Sequence, residues 1–257
     1  MPKALITGPT AGIGHAFASR CAEQGLDVVL VARDAQRLDD LATALRGRYS
    51  IGTEVLPADL SDRADVDKVA ERLARGDVSI LVNNAGFGLR SGFHEGDIDD
   101  EQRMLDVLVT ATMRLTHAAL PAMQRNGFGL VLNVSSIAGW TTGGTYAAAK
   151  SWVTVFSESV APAAQAMGVR VVAVCPGFVR TEFHERAAMD VERIPTWLWL
   201  TPEQVVDRAF QDAAAGRVIS VAGSQYMVIA GLLQAVPRPI VRWATPIRRM
   251  LVRRSPD

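Results

Sequence analysis

This chain has only two cysteines, and it lacks an excess of charge of either sign, paired histidines and long apolar runs. Its 27 basic and 27 acidic residues cancel to a formal net charge of zero. Nucleic-acid binders carry a clear basic excess, so no nucleic-acid partner is expected. The two cysteines, Cys21 and Cys175, are far apart and sit in apolar runs. That is the pattern of buried free thiols in a reducing compartment, not of a disulfide or a metal site. The histidines His15, His94, His117 and His184 show no metal-ligand spacing. The apolar run beginning at Ala4 stops by Gly8, too short for a signal-peptide core. No stretch approaches the ~20 apolar residues of a membrane span. A soluble, cytoplasmic protein is expected.

What is present is a core large enough for one sizeable domain: 257 residues, 49% hydrophobic and 21% charged. Short β-type runs alternate with longer helical patterns. The strands are read at Lys3–Thr7, Asp27–Ala32, Thr53–Leu56, Val78–Val82, Leu130–Val134 and Val169–Cys175, with a shorter seventh at Arg217–Val221. The helices are read at Ile13–Gln24, Asp34–Arg48, Arg63–Arg75, Glu101–Arg125, Tyr146–Ala166 and Pro202–Ala215, the fourth bent or interrupted near Pro121. Continuous apolar strands between helices mean βαβ units and a parallel sheet covered on both faces. The expected fold class is α/β: a single-domain, doubly wound, Rossmann-type sheet, mostly parallel, with helices on both faces. Residues 1–224 are expected to form this domain. Residues 225–257 form an apolar, arginine-rich extension packed on it or at an interface.

The first strand ends in Thr7-Gly8-Pro9-Thr10-Ala11-Gly12-Ile13-Gly14 and runs straight into a helix. Glycines there let backbone N–H groups approach a pyrophosphate, and the helix N-terminus adds its positive dipole end. An acidic residue closing the second strand would hold the ribose 2′-hydroxyl of NAD. Here Arg33 stands at that end, with Arg37 one turn later. Two guanidiniums fit the 2′-phosphate of NADP, so NADP(H) is favoured over NAD(H). Asp34 next door keeps NAD open, and the two arginines also read as solvent-facing helix charges. Further on, Tyr146 and Lys150 are spaced Tyr-Ala-Ala-Ala-Lys, with Ser136 ten residues upstream. A phenol and an ammonium one helical turn apart share a face. The ammonium favours the phenolate, and a tyrosine so tuned trades protons near neutral pH. Tyr-x-x-x-Lys alone is also common on ordinary solvated helices.

Taken in order, these motifs resemble the short-chain dehydrogenase/reductase family over nearly the whole chain. Besides Thr7–Gly14, Asp59-Leu60 follows the third strand, and Asn83-Asn84-Ala85-Gly86 follows the fourth. Asn133-Val134-Ser135-Ser136 closes the fifth, Tyr146 to Lys150 opens the next helix, and Pro176-Gly177-Phe178-Val179-Arg180-Thr181 follows the sixth. The resemblance implies a carbonyl reduction. NADPH would deliver hydride, Tyr146 would donate the proton, and Ser136 would orient the carbonyl oxygen. Lys150 would bind the nicotinamide ribose and depress the Tyr146 pKa. The implied cofactor contacts are Gly8, Thr10, Gly12, Ile13, Gly14, Arg33, Arg37, Asp59, Leu60, Asn84, Ala85, Gly86, Tyr146, Lys150, Pro176, Gly177, Val179 and Thr181. Ser135 is the rival serine; adjacent strand residues point to opposite sides, and the family pattern favours Ser136. The family is often dimeric or tetrameric, which implies a homodimer or homotetramer.

Two departures from the family stand out. Leu108 occupies the position where the family usually has an asparagine that holds a water linking the lysine to solvent. Leucine has no polar group for that task, which leaves a catalytically silent, NADP(H)-binding sensor or scaffold as the alternative function. The serine–tyrosine segment is also shorter than usual, with Trp140 near the expected substrate mouth. Past the sixth strand, Phe183–Leu200 contains Trp197 and Trp199. It reads as a greasy lid over a small apolar or lipid-derived carbonyl or alcohol, or as ordinary packing. In the tail, Arg238, Arg242, Arg248, Arg249, Arg253 and Arg254 face one acid, Asp257. That composition fits a peripheral membrane contact, and Pro237, Pro239 and Pro246 fit a segment packed on the domain or at an interface.

Overall fold

The computed structural model describes residues 2–183, 194–237 and 239–240. Seven parallel strands form one sheet in the order β3-β2-β1-β4-β5-β6-β9. They are β1 (Lys3–Thr7), β2 (Asp27–Ala32), β3 (Thr53–Pro57), β4 (Val78–Asn83), β5 (Gly129–Val134), β6 (Val169–Val174) and β9 (Ile219–Ser220). A second, two-stranded parallel sheet pairs β7 (Phe178–Val179) with β8 (Trp199–Leu200). The central strands are β-branched and buried on both faces, as a parallel sheet requires.

Helices cover both faces. On one lie α1 (Gly12–Glu23), α2 (Ala35–Tyr49), α7 (Pro202–Ala214) and α8 (Ser224–Ala235), around Phe17, Leu38 and Val205. On the other lie α3 (Arg63–Ala74), α5 (Thr112–Arg125) and α6 (Thr145–Ala166), around Val69, Leu73, Leu115 and Met123. Between β4 and α5 runs α4 (Ile98–Leu105). Acids cap several helices: Asp34, Asp62 and Asp97 accept backbone N–H bonds at the starts of α2, α3 and α4. Thr201 and Gln204 form a capping box on α7, with Pro202 in its first turn. The strand order reverses between β1 and β4, and a ligand crevice lies at the carboxyl ends of the strands there.

One expectation is corrected. The long fourth helix is not broken near Pro121, which sits inside α5 on its exposed side. Water there can satisfy the carbonyl that proline leaves without a donor. The irregularity comes earlier, as a π-helical segment at Asp106–Ala111 joining α4 to α5.

The opposite edge of the sheet holds a buried ion cluster. Arg72, 3% exposed, is bidentate to Glu54 at 2.7 and 2.9 Å and also reaches Asp77 at 2.7 Å. Lys3 joins Asp77 at 3.0 Å. The Arg72 hydrogen bonds hold both carboxyls below their ordinary values, against the opposing effect of burial. A carboxyl with a depressed folded pKa contributes stability above its unfolded pKa near 4, lost as pH falls through the folded value. Arg72→Met is expected to cost about 2–3 kcal/mol at pH 7, discounted because both carboxylates are about one-third exposed. Urea unfolding at pH 7 and in mild acid checks this: the difference between wild type and variant shrinks as pH drops below 4.

Candidate active site

The turn between β1 and α1 is the tightest part of the crevice. Gly8 and Gly12 both have positive φ, at 65° and 55°. A Cβ on Gly14 would lie 2.1 Å from the Gly8 carbonyl oxygen, and one on Gly12 would lie 2.8 Å from the Thr181 methyl. The chain therefore folds onto itself there with no space for side chains. Among the described residues no side chain caps α1, so its first backbone N–H groups face the crevice as an anion-binding helix end.

The loop after β4 holds that turn in place. The Thr7 hydroxyl accepts from the Asn84 and Ala85 N–H groups at 2.9 and 3.0 Å. The Asn84 amide donates to the Thr7 and Gly8 carbonyls at 2.9 and 3.0 Å. Behind the loop runs a buried polar chain. The Asn83 amide donates to Asn133 at 2.9 Å and to Thr116 at 3.1 Å, and the Asn133 amide donates to Ser157 at 3.0 Å. These bonds tie β4, β5, α5 and α6 together directly beneath the crevice.

At the end of β5 the two serines diverge. The Ser135 hydroxyl is buried on α6, 2.7 Å from both the Lys150 carbonyl and the Thr154 hydroxyl. Ser136 faces the other way, where its hydroxyl accepts from Ala138 N–H at 3.1 Å and lies 3.5 Å from the Pro176 carbonyl. The short return to α6 is possible because Gly139 lies against it: a Cβ there would come 2.9 Å from the Lys150 backbone.

Lys150 is buried, and its ammonium donates to the Val134 carbonyl at 2.6 Å. Burial lowers its pKa from 10.5 to about 8. The ammonium lies 5.8 Å from the centre of the Tyr146 ring. Phe183 packs on the same ring at 5.7 Å. Gly86 leaves the space between Leu108 and Lys150: a Cβ there would be 2.6 Å from Leu108 and 3.8 Å from the ammonium.

Three comparisons bear on this arrangement. The family profile described as short chain dehydrogenase matches residues 2–192. The chain belongs to the short-chain dehydrogenase family. A relative within it, sulfoacetaldehyde reductase 2 of Chromohalobacter salexigens, is 37% identical over 186 residues, 70% of this chain and 73% of that protein. Among solved structures, a short-chain dehydrogenase from Sphingobium yanoikuyae in complex with NADPH superposes with a TM-score of 0.82 at 32% identity, covering 93% of this chain and 97% of that one. A bulky-bulky ketone specific alcohol dehydrogenase from Comamonas testosteroni gives 0.78 at 27%, covering 93% and 96%.

The short-chain dehydrogenase fold brings most of the residues singled out in the sequence to one edge. Gly8, Thr10, Gly12, Ile13 and Gly14 form the first turn, Ala85 and Gly86 lie beside it, and Thr181 closes over Gly12. Arg37 donates to the Thr10 carbonyl at 3.1 Å and pairs with Glu182 at 3.5 Å. Arg33 is exposed at the end of β2. Burial tends to raise the Asp59 pKa, but bonds from Ser61 and the charge of Arg33 outweigh it and hold it low. Leu60 and Val179 are buried. Trp140 is half-buried and packs against the core on the α8 side.

Trp197 is 63% exposed and lines, with Trp199, Gln204 and Arg208, a groove of about 490 Å³ between α7 and α8. None of Ser136, Tyr146 or Lys150 lines that groove. His184 and residues 184–193 of the expected lid lie outside the described residues.

Two features went unread in the sequence. Tyr226, buried on α8, accepts from Phe178 N–H at 2.9 Å and donates to the Leu198 carbonyl. Its ring fills the space that a Cβ on Gly177 would need. The glycine after Pro176 was the signal, since a glycine in such a loop marks close approach of another group. The second is the π-helical segment, which contains Leu108. That side chain is fully buried with Met104 and Ala149, against the Tyr146 ring. π-turns break the regular carbonyl pairing of a helix and concentrate at functional sites.

Proposed function

We propose that the protein is an NADP(H)-dependent oxidoreductase that interconverts an apolar ketone or aldehyde and the corresponding alcohol. The observation that supports this best is the Tyr146–Lys150 pair, 5.8 Å from ring centre to ammonium, held beside Gly86 at the switch point of the sheet. The residues fit a dinucleotide: Gly8, Gly12 and Gly14 make a cradle that any Cβ would fill, and α1 is uncapped. Gly8, Thr10, Gly12, Ile13 and Gly14 would take its pyrophosphate. Asp59 and Leu60 would border the adenine, and Ala85, Gly86, Pro176, Gly177, Val179 and Thr181 the nicotinamide half. Asn84, its side chain engaged by the turn, would contribute through its backbone. When bound, the nicotinamide supplies or takes the hydride.

The chain's own residues would do the rest. Ser136 positions the substrate oxygen. Tyr146 donates its phenolic proton to that oxygen, or removes it in the reverse direction. The Lys150 ammonium would stabilise the phenolate that remains, and its N–H groups not used by Val134 would hold a ribose hydroxyl. Phe183, on the Tyr146 ring, and Trp140 give the pocket an apolar wall. The similarity to the bulky-bulky ketone specific alcohol dehydrogenase of Comamonas testosteroni supports a bulky ketone as substrate. Outer faces of α5 and α6, where Met113 and Val155 are exposed, would join two or four copies.

Leu108 favours a second reading, a cofactor-binding protein without turnover, because its side chain offers no path for protons to Lys150. The active reading is preferred because Ser136, Tyr146 and Lys150 are all present.

Arg33 tests the cofactor assignment. It is exposed at the end of β2, where a 2′-phosphate would lie. Arg33→Asp is expected to weaken NADPH binding by roughly 10- to 100-fold, the range for losing a charge-assisted bond, and to leave NADH binding little changed. Fluorescence titration with both nucleotides measures this; an unaltered NADPH preference would refute the 2′-phosphate contact.

A further inference from the structure

Helix α8 contributes no residue to the proposed chemistry, yet its first turn grips a loop that does. No helix among the described residues is long and apolar enough to cross a membrane. The arginines from Arg238 onward lie outside the described residues. Within α8 itself, one side chain is anchored deeply. Tyr226 is 1% exposed and is the largest fully buried side chain among the described residues. Burial raises its pKa, so the phenol stays protonated and can donate. It donates to the Leu198 carbonyl and accepts from Phe178 N–H at 2.9 Å. Gln225 donates to the neighbouring Trp197 carbonyl at 3.2 Å. The Tyr226 ring stands against Gly177, where a Cβ would overlap it.

We propose that Tyr226 is a positioning residue, whose hydroxyl holds residues 176–183 against the nicotinamide half of the cofactor and the Tyr146 ring; this rests on the oxidoreductase reading above. One end of that segment lies on the serine. The Pro176 carbonyl accepts from Ile137 N–H at 3.1 Å and is 3.5 Å from the Ser136 hydroxyl. The other end lies on the tyrosine. Phe183 N–H donates to the Thr181 hydroxyl at 3.3 Å, and the Phe183 ring packs on Tyr146 at 5.7 Å. Between the two ends, Thr181 closes over Gly12 of the first turn. The middle of the segment is held by little else. Strand β7 pairs with β8 through Phe178 with Trp199 and Val179 with Leu200 alone. An isolated two-stranded ladder is marginal even when longer than this. The Tyr226 hydroxyl bridges it, taking the N–H of the first β7 residue and the carbonyl just ahead of β8. A phenylalanine would fill the same space beside Gly177. Only the hydroxyl ties both strands to α8.

The test is Tyr226→Phe in the full-length protein, titrated with NADPH and with adenosine 2′,5′-bisphosphate, which has the adenine half only. NADPH is expected to bind roughly 3- to 10-fold more weakly, the range for losing uncharged hydrogen bonds. Binding of the bisphosphate should be unchanged. At saturating NADPH, kcat on a bulky ketone should fall about tenfold or more, because small misplacements of reacting groups are costly. A hydroxyl that served packing alone would lower the unfolding temperature and leave the ratio of the two nucleotide affinities at the wild-type value; that result would overturn the proposal. Should the variant misfold, hydrogen exchange of the wild type decides. The Phe178 amide is expected to exchange roughly 100-fold or more slowly than in an unfolded peptide, and exchange at the unfolded rate would overturn the tether. A wild type that binds NADPH but reduces no ketone would refute the proposed activity and not the tether, which the nucleotide ratio still reads. An active wild type beside a folded Tyr226→Phe with unchanged kcat and nucleotide ratio would overturn the tether alone.

Discussion

Tyr146→Phe should reduce ketone or aldehyde reduction by roughly 10²- to 10⁴-fold, the range for losing a positioned general acid. The substitution removes one oxygen and keeps the ring. Packing against Phe183 and the Leu108 cluster therefore survives, as does the contact with the Lys150 ammonium. The unfolding temperature and NADPH affinity should stay near wild type. This separation is the useful part: a residue that mattered only for packing would lower stability and activity together. Steady-state NADPH oxidation, paired with cofactor titration and thermal unfolding, checks it. A variant that keeps most of its turnover would remove Tyr146 from the proton-transfer role.

Lys150→Met should move stability and activity in opposite directions. The lysine is buried, and burial lowers its pKa from 10.5 to about 8. Holding it charged at pH 7 costs the fold about 3 kcal/mol on that shift. Methionine removes the charge, fills similar space and leaves the Val134 carbonyl without its donor, a loss of about 1–3 kcal/mol. The net expectation is a protein at least as stable as wild type at pH 7. Turnover should fall on the order of 100-fold or more, because Tyr146 loses the neighbouring cation that stabilises its phenolate. The pH dependence carries a sign. Between about pH 8 and 10.5 the unfolded chain holds the Lys150 proton that the folded chain has released, so wild-type stability gains relative to the variant as pH rises. Urea unfolding of both proteins from pH 7 to 10 measures that gain. A difference independent of pH would mean that Lys150 is not held at a depressed pKa.

The doubly wound sheet was legible because its strands are buried on both faces and so read as unbroken apolar runs. Asp27–Ala32 and Lys3–Thr7 begin and end where the pattern places them. The gathering of site residues was legible for a topological reason: in a parallel sheet, motifs that follow successive strands converge at one edge. Finer features depended on tertiary contacts with no local signature. Pro121 reads as a break, yet on the exposed side of α5 it is tolerated. The π-helical turn at Asp106–Ala111 has no residue that demands it. Asn84 reads as a ligand contact, and the sequence carries no sign that its amide also clamps the Thr7 and Gly8 carbonyls. Trp197 reads as pocket wall from its apolar neighbours, whereas the 3₁₀ turn at Thr196–Leu198 places it beside α7 and α8. Tyr226 lies nearly fifty residues from the loop it fastens, beyond the reach of any local pattern.

The proposed chemistry rests on hydride passing between a nicotinamide and a carbonyl carbon in this crevice. The direct measurement is to incubate the protein with NADPH carrying two deuterons at C4 and a panel of bulky apolar ketones and aldehydes, then analyse the products by mass spectrometry. The account predicts an alcohol carrying one deuterium on its carbinol carbon, formed by wild type and nearly absent with Tyr146→Phe. NADPH that binds tightly yet yields no deuterated alcohol from any member of the panel would contradict it, and would make Leu108 the mark of a cofactor-binding protein without turnover.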